Sequence, residues 1–180
     1  MPWMTAPCVS RPLAGVLALA ALAGCASPVP SQIREPAPGD LGLAQVQAEP
    51  QRHTGAPVRW GGTIVSVDNR PQVTTIVVVA RPLDSSGRPR EGDGSLGRFL
   101  AQVEGFLDPA VYAPQRQITV FGHVEGAMTR AIGEHPYRYP VVKVRTLYLW
   151  EPPPEHDWRY YDPYWPYWYD PFYRPYPWWY

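Results

Sequence analysis

The chain has 180 residues, room for one ordinary domain with flanking segments, and its 16 basic residues balance 16 acidic ones, so no net field recommends nucleic acid as a partner. Its two cysteines, Cys8 and Cys25, both precede the bulk of the chain, which excludes a disulfide framework or thiolate metal cluster from the folded part. The 24 prolines and a C-terminal crowd of Trp and Tyr make the composition uneven, so each segment is read separately.

Residues 1–11 are short with one cationic side chain, Arg11, and residues 12–23 are apolar or small. A membrane-spanning helix needs roughly 20 apolar residues, whereas this run stops at Cys25 and gives way to Ser27-Pro28-Val29-Pro30. Residues 1–24 therefore read as an export signal and not as a span. Leu22-Ala23-Gly24-Cys25 resembles the lipobox of bacterial lipoproteins. That resemblance implies cleavage before Cys25 and acylation of its thiol and amine, and several acyl chains hold a protein on a membrane where one alone is marginal. Ala26 follows the cysteine where Asp would imply retention in the inner membrane, so the same likeness implies the outer membrane.

Residues 25–40 read as the lipidated N-terminus and an extended spacer, because Pro28, Pro30, Pro36 and Pro38 oppose both helix and ladder. Residues 41–46 fit either a short strand or one helical turn. From Val58 onward, short β-branched runs alternate with turn residues, as in a compact all-β domain. Five strands are expected, over 58–67, 73–81, 97–104, 117–125 and 141–150. Gly61-Gly62 suggests a bulge or bend in the first. The second is apolar on both faces, as in a strand covered on two sides. The fourth alternates except at Phe121. Between the third and fourth, Asp108-Pro109 suits the start of a short helix.

Five strands with one short helix after the third describe a small all-β, OB-like barrel over residues 41–150, preceded by a signal peptide and followed by a disordered Pro/Trp/Tyr-rich tail over 151–180. Several motifs in order resemble the Slp family of bacterial outer-membrane lipoproteins. They are Arg59-Trp60-Gly61-Gly62, Arg81-Pro82-Leu83-Asp84, Gly97-Arg98-Phe99-Leu100, Gly105-Phe106-Leu107-Asp108-Pro109, Thr119-Val120-Phe121-Gly122 and Tyr137-Arg138-Tyr139-Pro140. The resemblance implies a periplasm-facing lipoprotein of the outer membrane associated with starvation or stationary phase. It offers no catalytic residues to carry over.

Metal and acid–base chemistry has little support in the spacing. His53, His123, His135 and His156 are dispersed, and Glu104 and Glu125 each end a strand before glycine. Ser85, Ser86 and Ser95 lie in a Gly-rich loop that matches no nucleophile elbow or phosphate-binding pattern. No cofactor or metal is expected, and the protein is read as non-enzymatic. Asp108 and Tyr112 are candidate contacts for a ligand, with helix capping the plainer role for Asp108. Trp60 offers a stacking surface, although a large aromatic at a strand end more often fills the core.

In the tail, 14 of the 23 residues from 158 to 180 are aromatic, and five prolines interrupt them. Proline at that frequency excludes a spanning helix. Trp165 and Trp168 stand for this segment as candidate contacts with a membrane interface, cell-wall glycan or an envelope protein, beside the plainer reading of a low-complexity tail partly collapsed on its own barrel with no dedicated ligand. The expected role is therefore structural or interactive at the envelope, with the outer membrane as partner through Cys25. The alternative is a periplasmic binding module taking a glycan or small ligand on a barrel face near Trp60 and Asp108.

Overall fold

The computed structural model describes residues 28–39 and 41–152. In chain order these hold α1 (Ser31–Arg34), α2 (Leu43–Ala48), β1 (Pro57–Asn69), β2 (Val73–Arg81), β3 (Gly97–Glu104), β4 (Gln117–Ile132) and β5 (His135–Leu149). The strands close into a barrel in the order β1-β2-β3-β5-β4. All neighbours are antiparallel except β3 and β5, which run parallel. This is the order of an OB-like barrel, and the five expected strands are all present. Among the described residues no helix is long and apolar enough to cross a membrane.

The barrel interior is filled by the inward side chains of the strands, among them Val58, Ile64, Ile76, Val78, Phe99, Ile118, Val120 and Val142, each fully buried. Burying each contributes about 1.5–3 kcal/mol. Leu43 and Val46 of α2 join the same cluster. Residues 41–46 thus belong to a helix. Its start carries the Gln45 side chain back to the Gly42 N–H at 3.0 Å, which satisfies one of the free donors of a helix N-terminus.

β2 is covered on both faces, as its composition implies. Ile76 and Val78 face the interior. Val77, on the other side, packs on a second cluster of Leu100, Tyr139 and Val141. That outer cluster exists because β4 and β5 run on past the barrel as a long hairpin. The hairpin leans on β3, where the Tyr137 hydroxyl accepts from the Arg98 N–H at 2.9 Å.

Three local expectations differ from the structure. The segment after β3 is a turn and not a helix: the Asp108 carbonyl accepts from the N–H groups of Val111 (3.0 Å) and Tyr112 (2.9 Å), and the chain then leaves. The β1 bulge falls between Ile64 and Ser66. Gly61-Gly62 serves close approach instead, since a Cβ on Gly62 would overlap the Val79 backbone and one on Gly61 would sit 2.6 Å from the Thr119 hydroxyl. Residues 28–37, expected as an open spacer, lie on the barrel. Ile33 of α1 is fully buried and Ala37 nearly so.

Candidate functional site

A group of polar contacts outside the core lies where the described chain enters and leaves the barrel. It is built on the turn after β2. Asp84 begins that turn, its carboxylate accepting from the Ser86 N–H (2.8 Å), the Ser86 hydroxyl (2.7 Å) and the Arg88 N–H (3.0 Å). Burial pushes the Asp84 carboxyl up, but hydrogen bonds from the Ser86 side chain and from the backbone of Arg88, Ser86 and Gly87 outweigh it and hold the pKa below its ordinary value. Gly87 completes the turn at φ +86°, a conformation open to glycine without strain.

Gly87 then links three parts of the chain. Its carbonyl accepts the Thr119 hydroxyl at 2.6 Å. The Thr119 oxygen in turn accepts the indole N–H of Trp150 at 2.9 Å. On its other side Gly87 abuts the carbonyl of Ile33, which a Cβ at position 87 would overlap. The strap formed by residues 28–37 is held further by Arg59 of β1. One guanidinium nitrogen donates to the carbonyls of Ile33 (3.0 Å) and Arg34 (2.7 Å). The Thr146 hydroxyl of β5 donates to the Gln32 side chain, and Arg34 Nε reaches back to the Val29 carbonyl at 3.1 Å.

The exit is fastened just as closely. The Arg88 guanidinium lies over the Trp150 ring, 5.7 Å from its centroid, and donates to Gln117 (3.0 Å) and to the Glu151 carbonyl (2.9 Å). Arg116 donates to the Trp150 carbonyl at 3.1 Å. Tyr148 meets Trp150 edge to face at 4.6 Å. Trp150 is 7% exposed, so it closes the outer wall of the barrel and leaves little ring for a ligand to stack on.

The sequence-predicted residues are dispersed. Trp60 is buried, donates its indole N–H to the Leu41 carbonyl (2.8 Å) and packs edge to face on Phe99 at 5.5 Å. Asp108 is exposed and caps its own turn, accepting from the Ala110 N–H at 2.9 Å. Tyr112 packs its half-buried ring against the main core. Trp60 lines a cleft of about 270 Å³ with Leu41, Arg59 and Leu83, and neither Asp108 nor Tyr112 borders that cleft. Cys25, Trp165 and Trp168 lie outside the described residues.

Sequence reasoning missed Gly87 and the grip of Arg59 on the strap. Arg59 stands there within a family motif, and a loop glycine reads as a turn former. Only the packing shows that each meets the strap. Phe106, 71% exposed, and Val111, 47% exposed, are apolar side chains open to solvent in the β3–β4 connection.

Two other concavities border the barrel. One of about 260 Å³ is bordered by Thr63, Arg81, Gln115, Arg116 and Trp150. Another, of about 550 Å³, lies between the end of α2 and the β4–β5 hairpin. Among the described residues no three His, Cys, Asp or Glu side chains group as a metal site. Glu104 pairs with Lys143 at 3.3 Å, both of them exposed.

The structure is thus a small closed β-barrel of OB-like strand order with a strap fastened outside it. The profile of the outer membrane lipoprotein Slp family matches residues 22–179, and the chain belongs to that family. It is 37% identical over 174 residues to an uncharacterized lipoprotein, YeaY, of Escherichia coli (strain K12), covering 88% of this chain and 89% of that one. It is 28% identical over 137 residues to the outer membrane protein Slp of the same strain, covering 75% and 72%. An uncharacterized protein of Haemophilus influenzae is 35% identical over 94 residues, covering 52% and 51%.

Proposed function

We propose that this outer-membrane lipoprotein is a non-enzymatic structural or interaction component of the envelope, anchored through acyl chains on Cys25 and facing the periplasm. The observation that carries the reading is the filled barrel. Its interior is packed by Val58, Ile64, Phe99 and their neighbours, and the indole N–H of Trp60 is spent on the Leu41 carbonyl. A domain built this way has no room for a ligand inside and offers its outer surfaces and chain ends to its surroundings. Family membership supports the membrane location. Replacing Cys25 with Ala is expected to abolish acylation and signal cleavage, read as loss of acyl mass and retention of the precursor. Normal maturation of that variant would contradict the anchor.

A second reading, binding of a glycan or small ligand, is favoured by the cleft of about 260 Å³ beside Trp150. There Arg81, Arg116, Gln115 and Gln117 converge, and Gln115 holds φ +73°, the one non-glycine residue at positive φ among those described. Such strain collects at functional positions. An NMR titration with envelope glycans decides it: shifts confined to these residues support the site, and a blank screen removes it.

A further inference from the structure

The geometry points to one corner of the barrel, formed by the turn after β2, the strap and the adjoining outer face of β4 and β5, as the surface that lies against the phospholipid bilayer. From the same corner the aromatic tail reaches that same bilayer. The inference rests on acylation at Cys25 as proposed above, and it adds the orientation of the domain and the role of the tail.

The anchor end sets the distance. Pro28 is three residues from Cys25, and a fully extended chain covers at most about 3.5 Å per residue, so the anchor lies within about 11 Å of Pro28. The strap that follows is fixed to the barrel. Ile33 is fully buried against it, Arg59 grips the carbonyls of Ile33 and Arg34, and Thr146 bonds Gln32. A free spacer through residue 40 would let the barrel tumble above the membrane. A fastened strap brings β4, β5 and the turn at Gly87 next to the acyl chains.

The other end leaves from the same place. Gly87 touches Ile33 on one side and, through Thr119, holds Trp150 on the other. Glu151 is bound to Arg88 of the same turn. Trp158 follows Pro152 by six residues, a reach of at most about 21 Å. The bilayer that holds the anchor is thus the nearest extended surface to the tail. The tail's chemistry suits it. Trp and Tyr concentrate at membrane–water interfaces, where the ring is buried and the polar edge stays wet. Residues 158–180 carry Arg159 and Arg174 against Asp162 and Asp170, so they have no net charge. The barrel face is balanced as well, with Arg34, Lys143 and Arg145 exposed alongside Glu35, Glu104 and Glu125. Contact with the bilayer should therefore depend on the aromatic rings and little on anionic lipid.

The test uses the mature, acylated full-length protein in vesicles containing a headgroup-attached quencher, with a fluorophore on Ser85→Cys beside the Gly87 turn or on Phe106→Cys in the β3–β4 connection. The Ser85 label is expected to be quenched at least twofold more than the Phe106 label, equally in zwitterionic and in anionic vesicles. Inserting about 20 Gly/Ser residues after Ser27 together with deletion of residues 153–180 should erase the difference, because the flexible linker then spans the separation. Equal quenching in the intact protein, or stronger quenching at Phe106, would overturn the orientation. Unacylated protein beginning at residue 26, which lacks both the signal segment and Cys25, should still show a blue shift of tail tryptophan emission with vesicles; a shift with cell-wall glycan but none with vesicles would overturn the role of the tail. Mass spectrometry of the same samples separates the two readings. Acylated protein with equal quenching defeats only the orientation, whereas absence of acyl mass defeats the anchor and the orientation with it.

Discussion

Two short segments precede β1, and they are held by different physics. The helix α2 is part of the core: Leu43 and Val46 are buried in the main cluster, and Trp60 donates to the Leu41 carbonyl. The strap is held from outside. It buries Ile33, but its other attachments are the polar grips of Arg59 and Thr146 and the contact at Gly87. The first segment therefore belongs to the cooperative fold. The second is able to open locally while the barrel stays closed.

The largest expected effect separates the two. Leu43→Ala should cost about 2–5 kcal/mol of global stability in urea unfolding, the range for emptying a packed aliphatic site. A loss under about 1 kcal/mol would place α2 with the strap and dissolve the contrast. Arg59→Ala comes next. It removes charge-assisted bonds to two carbonyls, worth about 1.5–3 kcal/mol each in favourable cases. The loss should appear as faster amide exchange at Arg34 and Glu35, whose N–H groups bond within the strap, with the barrel's thermal midpoint nearly unchanged. A matching fall in the midpoint would show that strap and barrel open as one unit.

The smallest effect is a pH dependence. The folded Asp84 carboxyl titrates below its ordinary value of 3.8, so its stabilisation of the Gly87 turn is complete above that value and is lost as pH falls through the lower folded one. Acidification below 3.8 should loosen the turn and the Trp150 environment before the core opens. Asp84→Asn should remove this early change, and an unaltered acid profile in that variant would contradict the role of the carboxylate.

The barrel was legible in the sequence because its causes are local and periodic. Inward Ile118, Val120 and Val124 alternate with outward neighbours on β4, and the two-sided run of β2 announces cover on both faces. Trp60 at a strand end was readable as a core filler for the same reason. The strap was not legible. Pro28, Pro30, Pro36 and Pro38 have the composition of a spacer, and one isoleucine among them carries no period. What decides its fate is a distant arginine on β1 and a glycine in the turn after β2, both brought to it only by closure of the barrel. The turn at Asp108 was misread as a helix because its cap and proline are shared by both structures. After Tyr112 no further residue continues the periodic apolar face a helix requires.

Amide hydrogen exchange across residues 29–37 of the mature wild-type protein tests the central claim most directly. A fastened strap predicts slowed exchange at Ile33, Arg34 and Glu35, whose N–H groups donate to the carbonyls of Pro30 and Ser31 at 2.8–3.1 Å, with protection that falls on Arg59→Ala. Exchange at the rate of an unstructured peptide in the wild type would contradict the account and return this segment to a free spacer.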